Sequence, residues 1–139
     1  MNLLRTAMLI VTAMALSGQS PPAPYAEGQV WEYHNRPQDA GSLLKIQKIE
    51  AYGDGKVYHL SITGVHFGRP GMADILPHIP VSAVTLDKSV TRLSTANPDL
   101  SATALQEGVA EWKKAKGGTF TIPVSEIVDI VDTQTRQLQ

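Results

Sequence analysis

The sequence predicts an α+β protein, with a small, mostly antiparallel sheet covered by about three helices. Three runs typical of β-strands are grouped between residues 28 and 63, separated by turn-forming residues. Helical periodicity dominates the rest of the chain. Since strands and helices do not alternate throughout, a parallel, doubly wound sheet is not expected. The predicted order is β-β-β-α-α-β-α, and an all-β fold is the main alternative.

Length and composition fit one globular domain. The chain has 139 residues, of which 42% are hydrophobic and 18% charged, values that allow a packed core. The net charge is −1, and the only lysine cluster (Lys113, Lys114 and Lys116) is interpreted as a solvated helix end, so nucleic-acid binding is not expected. The absence of cysteine excludes disulfides, thiolate metal ligands and a cysteine nucleophile.

The N-terminus has the layout of a secretory signal peptide over residues 1–20. Arg5 precedes an apolar stretch from Ala7 to Leu16, and small residues follow it. The stretch is far shorter than the roughly 20 residues that span a bilayer, so no membrane span is expected after cleavage. An uncleaved anchor or a buried N-terminal helix is the alternative. Residues 21–26 form a predicted Pro-rich linker, residues 27–139 a single α+β domain, and the expected location is periplasmic or secreted.

The first predicted strand is QVWEYH (29–34), and the second is SLLKIQKIE (42–50). Ile49 has the wrong parity for the core face of the second strand, which indicates a bulge near Lys48 or a side chain on the opposite face. Tyr52-Gly53-Asp54-Gly55 predicts a hairpin into the third strand, Lys56–Thr63. The predicted core of the sheet comprises Trp31, Tyr33, Leu44, Ile46, Tyr58, Leu60 and Ile62. The opposite face of the third strand, with His59, Ser61 and Thr63, is expected to be exposed.

Residues 68–80 are predicted to form a long Pro/Gly-rich loop. A first helix follows, with Ser82 as N-cap and an apolar stripe from Ala83 to Leu93. Asp99 or Ser101 caps a second helix over residues 102–116, which ends at Gly117-Gly118.

TFTI (119–122) is predicted as a short fourth strand, followed by a third helix with Ser125 as N-cap. The tetrapeptide Ile-Pro-Val-Ser occurs at 79–82 and again at 122–125, each time before a predicted helix. We interpret it as reuse of a good helix start rather than as a duplication.

The candidate metal ligands are His66, Asp74 and His78, which fall within one loop and could together hold zinc. Their spacing matches no recognised metal motif, so neither a metal nor another cofactor is expected. Histidines bonded to backbone or solvent are the alternative interpretation.

Three weaker candidate sites remain. His59 and Ser61 on the predicted exposed face could bind a ligand, or act with Asp74 as a hydrolase, although the G-x-S-x-G signature is missing. Arg36 and Arg69 lie in loops, where they could bind an anionic ligand or partner; solvated arginines are the alternative. Trp31 and Tyr33 could form an aromatic platform, but core packing is favoured.

Part of the chain resembles a family of small bacterial proteins of unassigned function. The family pattern is G-x-V-W-x-Y-x-x-R-P, then a hairpin, H-[IL]-P-[FV]-S ahead of a helix, and a later E-W. The matching residues are Gly28, Val30, Trp31, Tyr33, Arg36, Pro37, His78, Pro80, Ser82, Glu111 and Trp112. The resemblance covers most of the predicted domain and implies no particular activity.

The sequence therefore favours a small exported, non-enzymatic protein that binds a protein partner or a small ligand. One version is an inhibitor- or immunity-type protein that contacts its partner through residues 66–80. A small hydrolase or metal-dependent enzyme using His66, Asp74 and His78 is the alternative.

Overall fold

A computed structural model describes residues 25–138 as one five-stranded antiparallel sheet with three α-helices. The predicted signal peptide (1–20), residues 21–24 of the predicted linker and Gln139 lie outside the described residues. The elements in chain order are β1 (Val30–Tyr33), β2 (Leu43–Tyr52), β3 (Gly55–Thr63), β4 (Ile75–Val81), α1 (Ala83–Ser89), β5 (Val90–Ser94), α2 (Ala102–Lys114) and α3 (Val124–Gln137). The predicted α+β class is confirmed.

The strand order in the sheet is β4-β3-β2-β1-β5. β1 to β4 are joined as successive antiparallel neighbours, and β5 pairs with the remaining edge of β1. The β2–β3 hairpin turns at Gly53, whose φ of +55° is a conformation that glycine adopts readily. In the part of the chain that the structure describes, no helix has both the length and the apolar character needed to cross a bilayer.

The predicted bulge in β2 is present. The β2–β3 register shifts between Ile46 and Lys48, and the shift returns Ile49 to the core side of the sheet, where it packs as a partly buried side chain. The same shift places Lys48, Glu50 and Tyr52 on the opposite face, which carries the site described below.

One face of the sheet packs against α1 and α3 to form the main core. The predicted core residues Tyr33, Leu44, Ile46, Tyr58, Leu60 and Ile62 are all buried, and Trp31 packs against them partly buried. Leu86 of α1 and Ile127 of α3 complete the cluster from the helical side. Each such side chain contributes about 1.5–3 kcal/mol through its removal from water, so this layer dominates the stability of the domain.

The other face is also covered, contrary to the prediction of an exposed polar surface. His59 and Ser61 are 0% and 2% exposed. Helix α2 packs on β4 over this face, and its Trp112 meets His59 edge-on at 5.0 Å. At the start of the helix, Leu100 and Ser101 line a small hollow with Ser61.

The predicted loop at 68–80 is shorter than expected, because β4 occupies Ile75–Val81. Pro77 and Pro80 misled the prediction. They are tolerated because β4 is an edge strand whose strand partner is β3 alone, so a missing N–H does not break a second ladder.

Two further boundaries differ from the prediction. The first helix ends at Ser89 and not at Leu93, because Val90–Ser94 pairs with the free edge of β1. TFTI contributes only an isolated parallel bridge between Phe120 and Val81, since α1 begins just after Val81.

The N-cap positions are as predicted for α1 and α2 and different for α3. Ser101 caps α2 through a bond from the Ala104 N–H to its hydroxyl. Ser82 occupies the N-cap position of α1 but makes no side-chain cap bond. Helix α3 has Pro123 as N-cap in place of the predicted Ser125.

Candidate functional site

Four aromatic rings form a column between α2 and the sheet. Tyr52 lies against Trp112 with ring centroids 5.6 Å apart, Trp112 meets His59 edge-on at 5.0 Å, and His59 stacks on His78 at 5.0 Å. The column runs from the surface, where Tyr52 is 39% exposed, to His59, which is fully buried. It joins an open cleft to the interior of the domain.

The two outer rings are held in place by one turn of the backbone. The Trp112 indole N–H donates to the Gly118 carbonyl at 2.9 Å, and the Tyr52 hydroxyl donates to the Gly117 carbonyl at 3.2 Å. A Cβ at Gly117 would lie 2.2 Å from Cδ1 of Trp112, so a residue with no side chain is needed for the ring to pack here. Both aromatic side chains therefore have fixed orientations although neither belongs to the main core.

The inner rings form a direct hydrogen bond, with Nδ1 of His59 2.8 Å from Nε2 of His78. On its other side, Nε2 of His59 lies 3.7 Å from a carboxylate oxygen of Glu50. Hydrogen bonds from Lys48, and then from Lys113, lower the pKa of Glu50, so it is ionised at neutral pH. We therefore assign the His59 proton to Nε2, facing the carboxylate, which leaves Nδ1 to accept from His78.

Burial holds both imidazoles in the neutral form. Desolvation is the main cause that lowers the pKa of His59, and it lowers the pKa of His78 to about 4 with help from the neighbouring ring. Gly108 makes this burial possible, because a Cβ there would lie 2.5 Å from Cβ of His78. The glycine lets α2 approach β4 closely enough to cover the pair.

Two hollows open beside the column and share Lys113. The cleft proper has a volume of about 340 Å³ and is lined by Tyr52, Trp112, Lys113, Lys116 and Gly117. A second hollow of about 210 Å³ is lined by Lys48, Leu105, Gln106, Val109, Ala110 and Lys113. The aromatic rings supply apolar contact area and the lysines supply charge, a combination that is suited to binding and offers no evident nucleophile.

The structure does not bring the predicted metal ligands together. The His66 side chain is 69% exposed and lies 3.9 Å from Asp39, whereas His78 is paired with His59 beneath α2. Asp74 is exposed, and its backbone carbonyl accepts from the Val65 N–H. Within residues 25–138, no group of three or more histidine, aspartate or glutamate side chains could hold a metal ion.

Arg36 is not the solvent-facing loop arginine that the sequence suggested. It is 6% exposed, and its guanidinium contacts Asp39, Asp129 and Asp132 at 2.6–3.0 Å. Burial alone would lower its pKa, but hydrogen bonds to the three carboxylates outweigh that effect and raise it. The side chain also donates to the His66 carbonyl, so Arg36 ties α3 to the loop after β3 and is not available to an external anion.

Arg69 lies further along the same loop, partly buried, with its backbone carbonyl accepting from the Met72 N–H. The predicted pairing of His59 with Ser61 is not present either. Ser61 donates to the Pro77 carbonyl and accepts from Gln47, while Nδ1 of His59 is occupied by His78.

Sequence reasoning missed the residues that form the cleft. Tyr52 was assigned only to a hairpin, and Lys113 and Lys116 to a solvated helix end. The one available signal was the position of an aromatic residue directly before a lysine cluster; its partner Tyr52 is 60 residues away in the chain, and only tertiary structure brings the two rings together.

Comparison with models of known protein families, with curated proteins and with solved structures gives no match to this chain. The resemblance noted from the sequence stays a prediction, and the site is interpreted from its own geometry.

Proposed function

We propose that the protein is a small exported, non-enzymatic binding protein that holds a small ligand in the cleft lined by Tyr52 and Trp112. The observation that carries this proposal is the attachment of both rings to the Gly117-Gly118 turn. Surface aromatic side chains held in one orientation lose little conformational freedom when a ligand contacts them, which is the main advantage of a preorganised site.

The size of the cleft favours a small ligand over a protein segment. Its volume of about 340 Å³ is at the lower end of the range for small-molecule sites, roughly 300–1,000 Å³. The residues that line the cleft are also typical of small-molecule sites, since they provide aromatic surface and a few charged groups that can orient a ligand.

The alternative of a small hydrolase or metal-dependent enzyme has less support. Its three residues, His66, Asp74 and His78, lie in separate environments, and the buried imidazole of His59 faces another imidazole and a carboxylate. A nucleophile within reach of a base is what such an enzyme requires.

Export is supported by the order of charged, apolar and small residues in 1–20. A fusion of residues 1–27 to a reporter enzyme that is active only after export tests it. Activity that is lost when Leu9 and Ile10 are replaced by aspartate supports export, with Tyr25→Asp in the same fusion as a control outside the apolar segment. A fusion that stays inside the cell contradicts it.

The binding site can be tested through the indole N–H resonances of ¹⁵N-labelled protein. The chain has two tryptophans, and Trp31, which bonds to Gln29, serves as an internal control. The protein is titrated with pools of saccharides, peptides and nucleotides. We expect one pool to shift the Trp112 signal saturably while the Trp31 signal stays in place.

The matched variants for this experiment are Tyr52→Ala and Tyr25→Ala. Tyr25 is also a partly exposed tyrosine, but it packs on Trp31 and Tyr58 at a different place in the fold. Tyr52→Ala should abolish the shift and Tyr25→Ala should preserve it. A Trp112 signal that no pool moves, or a shift that survives Tyr52→Ala, contradicts the proposed site.

A second candidate function concerns the loop between Val65 and Asp74, in line with the inhibitor-type hypothesis. Its base is held rigidly: Asp39 accepts from the His66 N–H, Asp132 accepts from the Gly68 N–H, and the Val65 N–H donates to the Asp74 carbonyl. Met72 is exposed beyond this base. A rigid loop with an exposed apolar tip is suited to insertion into a partner protein. If the loop has this function, Met72→Glu should abolish a saturable complex with that partner. Tyr52→Ala, which changes the cleft, should leave the complex intact.

A further inference from the structure

We infer that the cleft takes an anionic sugar: a hexose-sized ring packed against the exposed surfaces of Tyr52 and Trp112, with a carboxylate or phosphate held by Lys113 and Lys116. This inference rests on the proposed binding function and adds the chemical class of the ligand.

The charges around the cleft do not balance. Glu50 is paired with two lysines at once, Lys48 at 2.8 Å and Lys113 at 3.1 Å. One carboxylate between two ammonium groups leaves an excess of one positive charge. Lys116 lines the cleft and adds another. An anionic ligand would neutralise this excess, and a cation would be repelled.

The position of Lys116 is itself unusual. Its φ of +52° makes it the one non-glycine residue with a left-handed backbone among residues 25–138. A glycine or asparagine is normally found at this point after a helix, because other side chains adopt the conformation at a free-energy cost of about 1 kcal/mol. Here Gly117 and Gly118 are the next two residues, yet the lysine occupies the strained position and lines the cleft.

The angle between the rings favours a sugar over a flat aromatic ligand. The rings of Tyr52 and Trp112 are in contact, with centroids 5.6 Å apart and planes inclined by 43°, so they present two inclined surfaces to the cleft and no parallel-sided slot. A planar aromatic ligand stacks best against parallel faces. A puckered sugar ring, with apolar C–H groups on its faces and hydroxyl groups at its rim, suits the inclined surfaces better.

The test compares four probes with the purified protein and follows the Trp112 indole signal. Glucuronate and glucose share a ring and differ by a carboxylate; glucose 6-phosphate carries a phosphate; benzoate is a flat aromatic anion. We expect at least one acidic sugar to bind about tenfold more tightly than glucose, the effect of one charge-assisted hydrogen bond. The preferred acidic sugar identifies the anion, and the preference should shrink at about 1 M salt.

The matched variants are Lys116→Gln and Lys114→Gln. Lys114 is an exposed lysine at the end of α2 that does not line the cleft. Lys116→Gln should weaken acidic-sugar binding about tenfold and leave glucose binding unchanged, whereas Lys114→Gln should change neither. Circular dichroism spectra like that of the parent chain would show that both variants fold.

Three outcomes would overturn the inference. Equal affinity for glucose and glucose-derived acids would remove the charge argument while leaving the proposed function intact. Preferred binding of benzoate would contradict the assignment of the ligand as a sugar. A Trp112 signal that responds to other pools but to none of these four probes would exclude the class, whereas a signal that no pool moves would contradict the proposed function itself.

Discussion

His59 and His78 form a direct imidazole–imidazole hydrogen bond beneath helix α2, with 2.8 Å between Nδ1 of one and Nε2 of the other. The two residues come from the neighbouring strands β3 and β4, and Trp112 closes the pair from the helix. Because Nδ1 of His59 is the acceptor in our assignment, a proton on that atom would break the bond. The packing of α2 on the sheet is therefore linked to pH.

We predict that the domain loses stability as pH falls from about 6.5 towards about 4. Both histidines have folded pKa values below that of an unfolded histidine, so the unfolded state binds more protons in this window and stability falls with pH. The charged groups facing the pair are Glu50, Lys48 and Lys113; the lysines oppose protonation and Glu50 favours it. Urea unfolding should show about 1–2 kcal/mol less stability at pH 5 than at pH 7.

The control for this prediction is Thr91→Ala, which changes an exposed, non-ionisable side chain on β5 and should leave the pH dependence unchanged. Replacing the pair, as His59→Phe with His78→Leu, should flatten the profile between pH 7 and pH 5. A parent chain with equal stability at the two pH values would contradict the linkage.

Gly108→Ala is predicted to destabilise the protein although it improves helix propensity. Alanine in a helix gains about 1 kcal/mol over glycine, but the new Cβ would lie 2.5 Å from Cβ of His78, an atom fixed to the β4 backbone. Moving α2 away from the sheet should cost more than the gain, for a net loss of about 1–3 kcal/mol in urea unfolding. The variant His78→Gly removes the opposing Cβ, so Gly108→Ala combined with His78→Gly should recover part of the lost stability. If Gly108→Ala alone were more stable than the parent chain, the close approach of α2 to β4 would be contradicted.

Arg36→Ala should be among the most destabilising single changes. It leaves Asp39, which is 0% exposed, without the arginine it pairs with, and leaves Asp132, which is 5% exposed, with only the more distant Arg136 at 3.6 Å. Removing one partner of a buried ion pair costs about 3–5 kcal/mol. Arg92→Ala is the matched control, because Arg92 makes similar contacts to Glu32 at the surface, where solvent screens the pair, and its removal should have a far smaller effect. Equal effects of the two variants on the urea midpoint would contradict the structural role of Arg36.

The parity of side chains in the strands predicted the sheet residues of the main core and gave a bulge as one of two explanations for Ile49. Ile49 fell out of phase with Leu44 and Ile46, and the structure contains a register shift where that mismatch required one. Such local patterns record which face of a strand is buried. They do not record that helix α2 packs over the other face, and for this reason His59 and Ser61 were wrongly predicted to be exposed.

The repeated tetrapeptide Ile-Pro-Val-Ser shows that local sequence patterns are equally limited in predicting where a helix starts. At 79–82 it ends β4, and the helix starts after the serine; at 122–125 the helix already starts at the valine. The difference comes from the surroundings, since the Val124 N–H donates to the Ser89 hydroxyl and Pro80 instead pairs with Phe120. Four residues cannot encode contacts made with partners about 40 positions away.

Gly117→Ala is predicted to open the cleft without unfolding the domain. The added methyl group would lie 2.2 Å from Cδ1 and 2.5 Å from Nε1 of Trp112, so the ring must leave its position and lose the hydrogen bond to Gly118. We expect a changed Trp112 indole shift, stronger quenching of its fluorescence by acrylamide, and a stability loss of about 1–3 kcal/mol. Gly118→Ala is the matched control, because nothing lies within 4 Å of a Cβ at that position. If both variants leave the Trp112 signal unchanged, the turn does not hold the ring, and the preorganised cleft on which the proposed function rests is lost with it.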